Sequence, residues 1–186
     1  MRIFSSQAVP ITQSPFFLQR QATQLPSSMP DIVWRAGLDL NPIDVSDPAQ
    51  ADWLEALVWP EQTDRLTNLR AAIKIATTIK PLIARGDLRH DLVSLVCEAP
   101  KDATLVIFHT AVLAYVSSIA DREDFARNVS TLCSCWISNT APQTFPDIAR
   151  RTVGRRGIRR FLLSANGIPI AWADPHGASL EWIARS

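Results

Sequence analysis

Polar side chains end four apolar runs that have the composition of buried strands, namely Asp39 with Asn41, Asp87, His109 and Asn139. Ligands of open α/β sheets bind beyond the carboxyl ends of parallel strands, so this pattern predicts a ligand rim. The alternative is that Asp and Asn end strands because they suit turns and helix caps. His109 can serve as a base, a proton donor or a hydrogen-bonded core residue, because the ordinary pKa of histidine is about 6.5.

Further candidates for the rim are Tyr115, Asp174 and His176. Tyr115, the only tyrosine, follows His109 closely and either faces the same crevice or anchors a helix. The turn Asp174-Pro175-His176-Gly177 places a carboxylate two residues from an imidazole, which can orient one tautomer of the histidine. Since the chain has no G-x-S-x-G motif, we expect no hydrolase triad, and this pair is assigned to fixing the turn or contacting a substrate.

Two other patterns in the sequence resemble binding sites. Cys133 and Cys135 have C-x-C spacing, but a tetrahedral zinc site needs more ligands than lie nearby, so no metal is expected. Six arginines between Arg150 and Arg160 could grip phosphates. No aromatic residue between them offers base stacking. The run is therefore interpreted as a solvated loop, and phosphate or nucleic-acid binding is kept as an alternative.

The composition indicates a soluble globular protein with one domain. Of 186 residues, 47% are hydrophobic and 20% are charged, and the net charge of +1 gives no general attraction to nucleic acid or membrane. No apolar run reaches the roughly 18 residues of a membrane helix, and no signal peptide is recognisable. Three sparse cysteines favour reduced, buried thiols. We therefore expect a cytoplasmic protein.

Along the chain, strands and helices are expected to alternate. Residues 1–30, polar and rich in proline, predict an extended lead-in with an edge strand near residues 16–21, and residues 31–186 predict the domain. Strands are expected at 32–40, 82–85, within 104–115 leading into His109, and at 135–137 before Ser138-Asn139. Helices are expected at 47–58, with Trp53, Leu54, Leu57 and Val58 inward, and at 61–78, 91–98 and 118–132.

This alternation predicts an α/β fold with a mostly parallel sheet. Asn166-Gly167 between two β-type runs predicts an antiparallel hairpin at residues 161–165 and 168–173. A short closing strand or helix follows at residues 179–183.

Several motifs resemble the bacterial family called domain of unknown function 2332, from about residue 33 to residue 182. They are WRAGLDLNPIDVSD from Trp34, WLEALVWPEQTDRL from Trp53, ARGDL, ATLVIFHTAVLAYV, ISN and IAWADPHGASLEW. Members of that family resemble class I S-adenosylmethionine-dependent methyltransferases. The resemblance implies a Rossmann-like sheet ending in an antiparallel hairpin.

The same resemblance implies S-adenosylmethionine as cofactor. It implies that Asp39, with Asn41, takes the ribose hydroxyls, that Asp87 lies near the adenine and that His109 faces the methyl-transfer site as the catalytic residue. Tyr115, Asn139, Asp174 and His176 would then border the substrate, a small molecule.

One departure from the family pattern is that no glycine precedes Gly37. In longer relatives a glycine-rich turn after the first strand lets the backbone approach the cofactor. The chain thus resembles the carboxyl-terminal half of the family, and we expect an N-terminally truncated domain that binds cofactor without full activity. The alternative is a non-catalytic interaction module whose partner chain supplies the missing N-terminal half.

Overall fold

The computed structural model describes residues 17–18, 27–28, 30–152, 160–175, 177 and 179–183. The fold is α/β, and the chain divides into two compact units: unit 1 is Met1–Ser27 with Thr104–Ser186, and unit 2 is Ser28–Ala103. The expected division into a lead-in over residues 1–30 and a domain over 31–186 stays a prediction. None of the helices in the described ranges is both long and apolar enough to cross a membrane.

The elements follow the predicted alternation closely. The strands are β1 Phe17–Leu18, β2 Ala36–Asp39, β3 Leu82–Arg85, β4 Val106–Thr110, β5 Cys135–Thr140, β6 Phe161–Ala165, β7 Ile168–Ala173 and β8 Ser179–Trp182. The helices are α1 Pro48–Ala56, α2 Thr63–Ile79, α3 Leu92–Cys97, α4 Ile119–Leu132 and α5 Pro146–Arg150, with a 3₁₀ turn at Val112–Tyr115.

Unit 2 is built on the parallel pair β2 and β3. Their register joins Ala36 to Leu82 and Asp39 to Arg85, and the N–H of Gly86 then donates to the carbonyl of Asp39 at 2.9 Å. The connecting helix α1 begins as predicted, because the Asp47 carboxylate accepts the Ala49 N–H at 2.9 Å and Pro48 occupies the first helical position. The pairing places the carboxyl ends of both strands side by side.

Unit 1 contains a sheet of mixed orientation in the order β1-β8-β7-β6-β5-β4. Strands β4 and β5 are parallel and joined through α4, and β5 to β8 form successive antiparallel pairs. The predicted hairpin is confirmed: Asn166 and Gly167 have φ of 49° and 72°, as a two-residue turn requires. The predicted edge strand is also present, since β1 pairs with β8 at one end of the sheet.

Three sequence expectations are corrected. Asn139 does not follow a strand, because β5 continues to Thr140 and Asn139 pairs there with Leu163. His109 likewise lies inside β4, which ends at Thr110. Helix α1 ends at Ala56, before the expected Leu57 and Val58. Leu54 and Val58 are half-buried, but Trp53 and Leu57 are exposed, so two of the four residues expected to face inward do so.

The buried side chains are distributed unevenly between the units. In unit 1 they include Leu113, Val129 and Trp136, and a second group joins Ala149 of α5 to Leu162 and Trp172 of the sheet. In unit 2, Leu95 is the one buried residue among those described, and it is still 8% exposed. Unit 2 therefore depends on a small amount of well-buried apolar surface.

We predict that Gly86→Ala destabilises the protein by about 1–3 kcal/mol. A Cβ at Gly86 would lie 2.8 Å from the Cβ of Asp91 and 2.9 Å from Cδ1 of Leu38, both closer than real Cβ contacts. Gly37→Ala is the matched control, because its nearest neighbour is an Ile83 methyl at 3.6 Å. Urea unfolding measures both variants, and an equal effect of the two substitutions would contradict this packing argument.

Candidate functional site

The first candidate site is the carboxyl edge of the β2 and β3 pair, formed by Asp39, Asn41, Arg85 and Asp87. Asp39 is exposed, and its Oδ1 accepts the N–H of Asn41 at 2.8 Å. Its second carboxylate oxygen has no hydrogen bond to any residue that the structure describes. Asp39 therefore offers one free, charged acceptor at a strand end.

Asn41 is held by an arginine from the neighbouring strand. The Arg85 guanidinium donates to Oδ1 of Asn41 at 3.1 Å and to the carbonyl of Leu40 at 3.3 Å. This contact orients the amide of Asn41, whose nitrogen is the donor that the side chain can offer to a ligand.

Asp87 carries a carboxylate that is already paired. Arg89 donates to it through its backbone N–H at 2.9 Å and through Nε at 3.0 Å, and the two side chains form an ion pair. These hydrogen bonds lower the pKa of Asp87 to about 2, the side-chain bond contributing most. Asp87 is thus ionised at neutral pH, and a ligand would share it with Arg89.

The second candidate site surrounds His109 in unit 1. Its ring lies edge-on to Phe125, with centroids 5.7 Å apart, and stacks on Trp136 at 6.0 Å. Both ring nitrogens are buried and lack a hydrogen-bond partner in the described chain. Burial lowers the pKa of His109 to about 4, so the imidazole is neutral at pH 7. A substrate would reach these nitrogens only if the surrounding side chains moved.

Two neighbours of His109 were not predicted as site residues. Ser138 is its cross-strand partner, and both the Ser138 hydroxyl and the Trp136 indole N–H are buried without a partner among the described residues. Buried polar groups are normally hydrogen-bonded, so this cluster is unusual. The sequence signal was the two-residue alternation of β5, which places residues 136, 138 and 140 on one buried face.

The remaining rim candidates are dispersed. Tyr115 is exposed in the 3₁₀ turn, and Oδ1 of Asn139 is buried without a partner in the described chain. Asp174 forms the predicted turn, its N–H donating to the carbonyl of Ser179 at 2.9 Å and its carbonyl accepting from Gly177 at 3.0 Å. His176 lies outside the described residues.

A metal site finds no support in the described ranges, where no group of three or more metal-ligating side chains occurs. The Cys133 thiol donates to the carbonyl of Val129 at 3.3 Å, and burial raises its pKa. All three cysteines are free, and Cys97 is exposed rather than buried as expected. Of the arginine run, Arg150 pairs with Asp147 and Arg160 with Glu181, while residues 155, 156 and 159 lie outside the described ranges.

The predicted site residues are thus divided between the two units, and each unit contains some of them. Asp39, Asn41 and Asp87 meet at the carboxyl edge of unit 2, and His109 and Asn139 lie on neighbouring strands of unit 1. A ribose has hydroxyl donors that fit the free oxygen of Asp39. The carboxyl edge therefore offers a hydrogen-bond acceptor to a ligand that carries hydroxyl groups.

Comparison with family models matches residues 7–182 to the family described as "Uncharacterized protein conserved in bacteria (DUF2332)". The match covers most of the chain. Neither the curated proteins nor the solved structures contain a significant match.

We predict that acid destabilises the protein through His109. Its pKa is about 4 when folded, below the roughly 6.5 of an unfolded histidine. Between these values the unfolded chain binds more protons, so stability should fall as the pH drops from about 6.5 to about 4, by up to about 3 kcal/mol. Urea unfolding across this range measures the effect.

His109→Phe should remove this part of the pH dependence while keeping a ring between Phe125 and Trp136. Replacing the exposed His90 by Gln controls for the loss of a histidine as such. A pH dependence that survives unchanged in His109→Phe would show that the buried imidazole is not its cause.

Proposed function

Because the chain belongs to the bacterial family of conserved uncharacterized proteins matched above, we propose its function from its own residues. We infer a methyltransferase-like domain that binds S-adenosylmethionine through the carboxyl edge of β2 and β3, without full catalytic activity. The single observation that carries this proposal is the free carboxylate oxygen of Asp39 at the end of a parallel strand.

The backbone supports a Rossmann-like interpretation of both units. β2 is followed by two helices and a parallel partner, and β4 is followed by α4 and a parallel partner. Such strand-helix-strand connections are the building blocks of doubly wound sheets, whose ligands bind at the carboxyl ends of the strands.

Each residue then has a distinct part. Asp39 accepts hydrogen bonds from the ribose hydroxyls, and the paired Asp87 borders the adenine. Asn41, fixed by Arg85, presents its amide nitrogen to the same edge. His109 belongs to unit 1 and is proposed separately as the catalytic residue, because its neutral imidazole can accept a proton. When bound, S-adenosylmethionine supplies a methyl group activated by a sulfonium.

We expect S-adenosylmethionine to bind weakly, for a reason that lies in the sequence. The turn that follows β2, Leu40-Asn41-Pro42, contains no glycine, whereas a glycine-rich turn allows the backbone to approach a cofactor closely. In the described residues, Gly86 cannot replace it, because Gly86 packs against Asp91 and Leu38. Binding therefore depends mainly on side chains such as Asp39.

We predict that S-adenosylmethionine and S-adenosylhomocysteine bind the purified chain, and that Asp39→Asn weakens binding by about ten- to hundredfold. A hydrogen bond to a charged group contributes about 1.5–3 kcal/mol, which corresponds to that factor. Asn keeps the acceptor for the Asn41 N–H but loses the free charged oxygen. Isothermal titration calorimetry measures the affinities.

Asp44→Asn is the matched control. The exposed Asp44 also accepts an N–H two residues further on, that of Ser46 at 2.8 Å, so both substitutions preserve the same kind of turn. Adenosine should bind better than 2′-deoxyadenosine to the wild type and equally to Asp39→Asn. No heat of binding from a folded chain, or equal losses in both variants, would refute the role of Asp39.

A second candidate function, a non-catalytic interaction module, is favoured by the edge strand β4. Among the described strands, none pairs with the side of β4 that faces away from β5. Its outward side chains Val106 and Phe108 are 45% and 75% exposed, and the strand contains no charge or proline. Such an edge readily accepts another strand, here one supplied by a partner chain.

For this second function we predict that the wild type associates with increasing concentration, and that Phe108→Lys suppresses association by about tenfold. A lysine on an edge strand opposes strand addition, because pairing would bury its charge. Val93→Lys, at an apolar position on α3 that is 52% exposed, is the control. Light scattering after size exclusion gives the masses, and identical masses for all three proteins would contradict strand pairing through β4.

A further inference from the structure

Helix α1 is apolar on two sides. Leu54 of α1 and Val58 just after it are partly buried, yet Trp53 on the other side of the helix is 61% exposed. Leu57 and Trp59, which follow the last helical residue Ala56, are 57% and 71% exposed. Single exposed apolar residues are common, but a contiguous group with two tryptophans marks an interaction site. We call this group, completed by Ala49 and Ala56, the outer face of α1.

The outer face has the spacing of a helix-packing surface. Ala49, Trp53 and Ala56 are separated by four and three residues, so they form one row along α1. The alanines are small and allow a second helix to approach closely, while Trp53 and Leu57 project into its side chains. Tryptophan is enriched among the residues that contribute most binding energy at interfaces.

The segment of sequence that contains this face is strongly acidic. Between Arg35 and Arg65 the sequence contains no Lys, Arg or His and seven carboxylates, which are Asp39, Asp44, Asp47, Asp52, Glu55, Glu61 and Asp64. Glu55 pairs with Arg70, but Asp52 on the outer face and Glu61 beside Trp59 are exposed and have no ion pair among the described residues. Since the whole chain carries a net charge of only +1, this acidity is local.

We propose that the outer face of α1 docks a basic amphipathic helix of a partner protein. The apolar side of that helix covers Trp53, Leu57 and Trp59, and its Lys or Arg side chains face Asp52 and Glu61. A second copy of this chain would bring the same carboxylates against each other, and an anionic lipid surface would be repelled. The proposal is independent of cofactor binding at the carboxyl edge.

The test uses a synthetic helix of about 18 residues, made of Leu and Lys with the leucines on one face, since shorter isolated helices are marginal in water. Titration calorimetry and tryptophan fluorescence should show saturable binding that weakens with salt. Trp53→Ala and Asp52→Lys should each weaken it at least about tenfold. Val93→Ala, exposed on α3, should leave it unchanged.

Further peptides, self-association and vesicle binding distinguish the proposed helix from the other possible partners. A Leu and Glu helix, and a Leu and Lys peptide with the leucines scattered, should bind at least about tenfold more weakly. Equal binding of either peptide would overturn the proposal, as would equal loss in Val93→Ala. Self-association lost in Trp53→Ala, or binding to anionic vesicles in preference to the peptide, would overturn it in favour of a second copy or a membrane. Far-UV circular dichroism confirms that each variant is folded.

Discussion

Unit 1 depends on the burial of Trp136, a residue of β5 on the buried face of the parallel pair β4 and β5. Its ring contacts His109, Phe125 and Phe145, which come from a strand, a helix and a loop. A shift of one residue in the register of β5 would move Trp136 to the opposite face and break all three contacts. The same register places the buried Ser138 beside His109, so the unpartnered polar cluster is a consequence of how the core is aligned.

The sequence was most informative where a local interaction defines an element. Asp47 caps α1, Ser118 caps α4 by accepting the Asp121 N–H at 3.1 Å, and Asn166-Gly167 forms the hairpin turn. Each of these depends on residues that are close along the chain. The pairing of β5 with the antiparallel β6 depends on distant residues, and no local signal assigned that neighbour to β5. Helix α1 was ambiguous because both its sides are apolar.

The candidate site was likewise predicted only in part. Asp39 and Asp87 were predicted to lie together, and the parallel pairing of their strands accounts for it. The positions of the strand ends could not predict that Arg89 pairs with Asp87 or that Arg85 holds Asn41. Such side-chain pairs depend on where the folded chain places both partners. Asn139 was misplaced because β5 continues through two polar residues that elsewhere suit a turn.

The difference in buried side chains between the two units affects how much a ligand would stabilise unit 2. Unit 2 has one buried residue among those described, so its folded form gains little from its own core. Any ligand that binds only the folded form stabilises it by RT ln(1 + [L]/Kd), which is about 2.7 kcal/mol at a hundredfold excess over Kd. A nucleoside at the carboxyl edge and a helix on the outer face of α1 would contact different residues of the same unit. Their stabilising effects should therefore add, and each would strengthen binding of the other wherever unit 2 is partly unfolded.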